Sequence, residues 1–525
     1  MSRLASIHRQ SFDVAVIGGG IVGCGVARDA ARRGLRVALF EQQDFGSGTT
    51  SASTRIVHGG LRYLETADFR LVRMDLRERE TLLSIAPHLV SPLEFVIPFD
   101  HVGAWQRVKL RVGLGLYDAL AWGSTLPGHR ATAREAAYYD ARVDLPERLA
   151  LENVVDAAAH GAHAFNYVEA LGAVHDGAAV RGVRLRDRIT GAEAHVSARI
   201  VVNASGPWFE RVAGAIGGAL PGRIRMTKGV HLVCPPLTDR ALVLFSRVDG
   251  RLMFAIPRAG HTWLGTTDTD FAGDPGEAAA TRDDVSYVLE SLRGAFPSLR
   301  LDDVLYTTAG VRALVMQGGN TSSVSRMHRV VDGEVAGTPG LVSIMGGKIT
   351  GYRAIAEEAT DVVCRRLGVA ARATTADEPL PGASQSTIEN PESRIAAEGG
   401  VPPHLYHVYG SRAADVLRLA AERPELSRPL SPKYPDIAAQ VVHAVRNEWC
   451  VTVSDFVRRR TLLGASADQG WDAAPAVAAI MGAELAWAPE RRAREIETYE
   501  RDIARTQAFR GGAGAGAAAV GGHDG

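Results

Sequence analysis

Gly18-Gly19-Gly20-Ile21-Val22-Gly23 satisfies the G-x-G-x-x-G spacing, straight after a β-branched run at 12–17 and at the start of a segment with helical spacing. Each glycine has a use: Gly18 permits the tight turn, Gly20 lets backbone N–H groups approach a pyrophosphate, and Gly23 lets helix and strand pack closely. The helix N-terminus adds its partial positive charge to that phosphate site. Glu41 follows about 20 residues on, where a carboxylate can accept both hydroxyls of a ribose and disfavours a 2′-phosphate. A glycine turn without a ligand is the alternative, and the flanking strands together with Glu41 favour a dinucleotide. Cys24, inside the turn, reads as a small packing residue rather than a redox group.

The fingerprint alone does not separate FAD from NAD. The segment Ser47-Gly48-Thr49-Thr50-Ser51-Ala52-Ser53-Thr54-Arg55-Ile56-Val57-His58-Gly59-Gly60-Leu61-Arg62-Tyr63-Leu64 does. A flavin needs polar donors around its pyrophosphate and pyrimidine ring, and glycines where backbone passes the ring. An NAD enzyme has no use for such a hydroxyl-rich loop followed by His-Gly-Gly at this place.

These residues must be positioned by elements that the pattern also predicts. Strand 12–17, the glycine turn, helix 21–33 and strand 36–40 make a βαβ unit. Apolar strands at 198–203 and 340–344 each run into a glycine turn and are expected to return to the same sheet. Between them, residues 227–267 alternate apolar and polar positions, as in a meander of antiparallel strands forming an inserted second domain. Residues 371–394 read as a polar linker, 402–505 as helical, and 511–525 as disordered Gly/Ala low complexity.

The bulk composition agrees. A chain of 525 residues suggests two or three domains. With 59 Lys+Arg against 59 Asp+Glu there is no charge excess of the kind a general nucleic-acid binder carries. The four cysteines, Cys24, Cys234, Cys364 and Cys450, show neither CxxC nor zinc-ligand spacing, so no metal is expected and a reducing compartment fits. The N-terminus lacks an apolar secretory core, and no uninterrupted apolar run of about 18 residues occurs. The most apolar late stretch, 473–488, reads as an alanine-rich buried helix; membrane contact, if made, is expected to be peripheral.

The chain resembles the FAD-dependent glycerol-3-phosphate dehydrogenase family at the 47–64 segment. It does so again at Asn203-Ala204-Ser205-Gly206-Pro207-Trp208, Lys228-Gly229-Val230-His231, Ile256-Pro257, Leu264-Gly265-Thr266-Thr267-Asp268, Ala309-Gly310-Val311-Arg312, Gly346-Gly347-Lys348-Ile349-Thr350-Gly351-Tyr352-Arg353 and Arg459-Arg460-Thr461. The resemblance implies an α/β protein: a glutathione-reductase-type FAD-binding domain, an inserted mixed or antiparallel-sheet substrate domain and a C-terminal all-α domain. The limits expected are 12–95, 150–222 and 338–370 for the FAD-binding domain and 96–149 with 223–337 for the substrate domain. The linker would run 371–394, the helical domain 395–508 and the disordered tail 509–525. The resemblance also implies oxidation of glycerol 3-phosphate to dihydroxyacetone phosphate, with electrons passed to a quinone, by a cytoplasmic enzyme peripheral on the inner membrane face. It leaves room for a homodimer.

Oxidising a secondary alcohol on a flavin requires a base for the hydroxyl proton, cations for the phosphate and rigid positioning. Arg62, Arg312 and Arg326 are the expected phosphate ligands, because a guanidinium fork binds two oxygens at once. Arg312 is read as following a Gly-Val turn at a strand end. Tyr63 and His231 join them as substrate contacts. Lys348 would oppose the charge of the reduced ring, and His58 would be the base or orient the flavin. The cofactor contacts expected are Gly18, Gly19, Gly20, Gly23 and Glu41, then Thr49, Thr50, Ser51, Ser53, Thr54, His58, Gly59 and Gly60. Ala204, Gly206, Trp208, Gly347, Lys348, Ile349 and Thr350 complete the set. Two departures stand out: Ala313 replaces the family's usual Pro, loosening a loop, and Gly351 replaces a Thr, removing a hydroxyl near the flavin edge. Rival readings are an oxidase using oxygen, an oxidoreductase of another small hydroxy or amino acid, and a flavin-binding protein with an inactive site.

Overall fold

The computed structural model describes residues 3–7, 10–100, 102–217, 222–316, 324–325, 327–383 and 401–511. Among them the strands form an eight-stranded sheet, an eleven-stranded sheet and a short hairpin. In the first sheet Ser11–Ile17 lies parallel between Val37–Phe40 and Glu193–Asn203, with Leu341–Met345 parallel on the far side. Val14, Val16, Val37, Leu39, Val201 and Val202 are all buried, as expected of a parallel sheet covered on both faces. The expected βαβ unit is therefore present, with its helix at Ile21–Arg32, and both later strands do return to this sheet. Helices Pro146–Ala159 and Tyr352–Leu367 pack beside Ile21–Arg32, whose Gly25 would set a β-carbon 3.0 Å from the Tyr352 ring.

The second sheet contains the expected meander: Ile224–Cys234, His261–Gly265, Leu252–Arg258 and Ala241–Phe245 pair antiparallel in that spatial order. Ala241–Phe245 then pairs parallel with Val90–Pro98, which pairs antiparallel with Glu135–Val143. Three expected domain assignments are corrected by these pairings. The limit at 95 falls inside Val90–Pro98, a strand wholly in the second sheet; Ile56–Val57 also belongs there; and Arg329–Asp332, assigned to the substrate domain, is the antiparallel edge of the first sheet. Sequence pattern cannot say which sheet a short strand joins, because that depends on partners far along the chain.

The C-terminal part is helical, with its own core around Val441, Phe456, Val477 and Met481. The hairpin Pro429–Ser431 with Tyr434–Ile437 was not anticipated by an all-α reading. The alanine-rich stretch is the helix Ala474–Glu484, whose Glu484 reaches Arg446 at 2.8 Å. Two other expectations are corrected. Residues 371–383, expected as part of a polar linker, are packed on the protein: Leu380 is fully buried and donates its N–H to the Ile85 carbonyl, and Thr375 is buried against Arg353. The tail does not begin at 509, since Ala508–Arg510 is a helical turn with Phe509 buried. Positions 384–400 and 512–525 lie outside the described residues. No helix among those described is long and apolar enough to cross a membrane.

Candidate active site

One cavity of about 420 Å³ runs between the two sheets, within the volume range of small-molecule sites. One end is the glycine turn. Gly18 has φ +106°, and a β-carbon there would lie 2.6 Å from the Ala204 carbonyl; on Gly23 it would lie 1.9 Å from the Gly18 carbonyl. Turn, helix and strand thus meet at distances only glycine allows. Glu41 closes the second strand: its carboxylate accepts from Gly19 N–H at 2.6 Å and from Gln43 N–H at 2.8 Å, one on each oxygen. Burial pushes its carboxyl above the ordinary value. Each oxygen keeps a further lone pair for a ribose hydroxyl. Cys24 is fully buried, its thiol pushed far up by burial, which fits packing.

The hydroxyl loop sorts into inward and cavity-facing members. Thr50 accepts from Ile21 N–H at 3.1 Å and ties the loop to the helix start, while Thr49 donates to the Val311 carbonyl at 2.6 Å. Ser53 and Thr54 line the cavity. Ser51 is turned into its own loop, bonding the Ser47 and Gly48 carbonyls, and does not line the cavity. Gly19, Gly23 and Gly59 are likewise behind the lining, and Gly59 is packed under Leu76 and Tyr117 with its N–H on Asp140. Ala204, Gly206, Trp208, Gly347, Ile349 and Thr350 complete the wall. Thr350 Oγ1 accepts from His58 N–H at 3.1 Å and so joins the two glycine segments.

At the other end His58, Arg62, Tyr63, His231, Arg312 and Lys348 face the same space. Arg312 does not follow a turn. It lies within the strand Tyr306–Met316, opposite Thr227, and Gly310 is glycine because a β-carbon there would fall 2.3 Å from Ala52 Cβ. Ala313, opposite Met226, is in the same strand, so it loosens no loop. The Arg312 guanidinium is braced on one side by Asp268 at 3.1 Å, the Thr267 carbonyl at 3.2 Å and Thr266 Oγ1 at 3.0 Å. Gly229 leaves room for it, since a β-carbon there would lie 2.2 Å from Nη2. Arg62 is exposed at the rim. Lys348 bonds Asp75 and stands 4.3 Å from the centroid of the Tyr63 ring. His231 meets Thr54 Oγ1 at 3.0 Å; burial, then the charges of Arg312 and Arg55, push its imidazole down to about 3, so it is neutral near pH 7. Arg326 lies outside the described residues.

Four residues escaped the sequence reading. Asp268 stood in a matched motif without a role, and Arg251, 3.5 Å from it, also lines the cavity. Asp75 holds Lys348. Asp44, three residues after Glu41, takes Arg459 at 2.6 Å and Arg460 at 2.8 and 2.9 Å, which explains the Arg-Arg-Thr motif as a tie between the C-terminal domain and the dinucleotide loop.

A glycine turn held by a carboxylate at the end of the second strand, a hydroxyl-rich second loop and a cavity between two sheets define a flavin-dependent oxidoreductase. Residues 13–353 match the family model described as FAD dependent oxidoreductase, and residues 373–492 that of the C-terminal domain of alpha-glycerophosphate oxidase. The chain is 36% identical to a glycerol-3-phosphate dehydrogenase of Synechocystis sp., covering 95% of this chain and 97% of that one. It is 32% identical to an aerobic glycerol-3-phosphate dehydrogenase of Staphylococcus haemolyticus, covering 87% of each. The glycerol-3-phosphate dehydrogenase of Bacillus halodurans, solved with FAD, superimposes with a TM-score of 0.76 at 31% identity over 96% of both chains. The chain belongs to the FAD-dependent glycerol-3-phosphate dehydrogenase family, and its cofactor is FAD.

Proposed function

We propose that this protein oxidises sn-glycerol 3-phosphate to dihydroxyacetone phosphate and passes the electrons to a quinone. The observation that carries this reading is the convergence of Arg62, Arg312 and Lys348 on the cavity that begins at the dinucleotide turn. An amino or hydroxy acid presents one carboxylate, for which one Arg would be enough; several cations suit a phosphate dianion. FAD supplies the acceptor for the hydride at its N5.

In this reading Arg312, fixed by Asp268, turns its remaining donors to the phosphate, and Arg62 closes over it from the rim. Tyr63 and the neutral His231 contact the substrate. Lys348 offsets negative charge at the ring, and His58 takes the hydroxyl proton. The imidazole of His231 is too weak a base at about 3 to compete for that proton. Anaerobic addition of glycerol 3-phosphate should bleach the yellow holoenzyme, and a quinone analogue should restore the colour faster than oxygen does. Absence of bleaching would point to another substrate or an inactive site; faster restoration by oxygen would make the protein an oxidase.

Membrane attachment in this reading is peripheral, from the cytoplasmic side, and rests on the helix Ala104–Leu120. Trp105, Val108, Val112 and Leu116 recur at helical spacing and are exposed, Trp105 by 79%, and Trp122 beyond the helix by 93%. Lys109 and Arg111, both exposed, flank that stripe, a pattern suited to a helix lying in the headgroup region of anionic lipid, while Arg107 is turned back onto the Phe99 and Val102 carbonyls. High salt or mild detergent should release the protein from membranes, and Trp105→Ser with Trp122→Ser should leave most of it unbound to anionic vesicles. Release only on full solubilisation of the bilayer, or unchanged vesicle binding by the double variant, would count against this surface.

A further inference from the structure

We propose that Asp75 is the positioning residue for Lys348, and that Gly351 leaves this chain's Asp75 with a carboxylate oxygen for which a hydroxyl at position 351 would supply the missing donor. The first half rests on the placing of Lys348 in the site proposed above; the second rests on the geometry of Asp75 alone.

Asp75 lies on the helix Phe69–Ile85, and its side chain is fully buried. Its Oδ2 accepts from the Lys348 ammonium, which is held at the same time over the Tyr63 ring. Among the described residues, its buried Oδ1 has no hydrogen-bond partner. The other charges facing it are already matched. Asp140 is taken by Arg79 at 2.8 Å and by the Tyr117 hydroxyl at 2.7 Å, and Glu78 by Arg353 at 2.6 Å. Lys348 is therefore the cation left for Asp75, and Asp75 the anion that fixes where Lys348 points.

A β-carbon built on Gly351 would lie 3.5 Å from Asp75 Oδ1. A hydroxyl one bond farther on comes within donating distance. Gly351 has φ −91° and ψ 8°, so the backbone there does not require glycine. The one tight neighbour of that β-carbon is Met74 Cε at 3.1 Å, the far end of a flexible side chain. Burial, opposed by Lys348, raises the Asp75 carboxyl to about 6. Folding therefore favours its protonated form, and the ionised form is held at a cost above about pH 6. A donated hydrogen bond to Oδ1 would relieve that cost only where Asp75 is ionised.

The test compares Gly351→Thr with Gly351→Ala in the FAD-loaded protein, by melting temperature from pH 5 to pH 8. Threonine should exceed alanine at pH 8, and the difference should vanish by pH 5. An equal gain at both ends would mean that the hydroxyl merely caps the helix Tyr352–Leu367; no difference would mean that it does not reach Asp75. Either result overturns the second half. In turnover, the acid limb of kcat should move down by about one pH unit in Gly351→Thr and not in Gly351→Ala. The ionisations of the substrate phosphate and of His58, the base proposed above, are common to all variants and cancel in the ratio of the two position-351 rates at each pH. Asp75→Asn should keep its FAD and lose at least about tenfold in kcat, equivalent to about 1.4 kcal/mol; undiminished kcat or superimposable acid limbs would overturn the positioning role. If Asp75→Asn fails to fold, the position-351 pair still decides. A wild type inactive on glycerol 3-phosphate would sink the proposed substrate and leave the pH-dependent melting difference to stand or fall by itself.

Discussion

Arg312→Ala should lower kcat/KM for glycerol 3-phosphate by about thirty- to more than a hundredfold, the loss of a charge-assisted contact worth about 2 to 3 kcal/mol. The guanidinium is already oriented by Asp268, Thr266 and the Thr267 carbonyl, so little of its binding energy is spent on ordering it. Damage to the fold should be small, because Asp268 keeps Arg251 within 3.5 Å. The loss falls on KM if the phosphate is held equally in ground and transition states, and on kcat if it aligns the reacting carbon. Arg312→Lys should recover only part, since a point charge cannot reproduce a two-pronged contact. Glycerol, lacking the phosphate, should be a very poor substrate whose low rate barely changes. An equal proportional loss on both substrates would assign Arg312 to the flavin or the fold instead.

The second large effect is expected far from the chemistry. Arg460 and Asp44 are both fully buried and joined by two hydrogen bonds, and Arg460 also donates to the Glu448 carbonyl at 2.7 Å. Arg460→Met leaves a buried carboxylate with Arg459 as its remaining cation, which should cost about 3 kcal/mol of stability. Asp44 sits between Glu41 and Gly46, whose N–H donates to the Gly19 carbonyl at 2.8 Å, so the damage should reach the dinucleotide turn and speed FAD release. Excess FAD should then restore part of the lost melting temperature. Burial pushes the Asp44 carboxyl up, but Arg460 and Arg459 outweigh it and hold it below the ordinary value. The stabilisation is accordingly present at neutral pH and lost in acid, so wild type and variant should converge as the pH falls below about 4. A lower melting temperature with unchanged FAD affinity would confine the role of Arg460 to the C-terminal core.

Both effects involve residues that the sequence made visible to different degrees. Arg312 could be picked out because its motif and its chemistry agree, yet its setting was misread: Gly310 looked like a turn and is a strand residue that makes way for Ala52. Arg459 and Arg460 were visible only as a matched motif, since nothing local says that Asp44, more than 400 positions away, is their partner.

Local pattern was enough for the βαβ unit, the dinucleotide turn, the acid at the second strand end and the antiparallel meander. Those features depend on glycine conformation and on apolar periodicity, which are properties of neighbouring residues. The tertiary structure alone decided that Ile56–Val57 and Val90–Pro98 join the second sheet, that Ser51 turns away from the cavity, and that residues 371–383 are packed. It alone decided that Asp268, Asp75 and Asp44 each hold a cation named by its motif. The physical reason is the same throughout: a buried charge takes its partner from whatever segment the fold brings within a few ångströms, and separation along the chain carries no record of that distance.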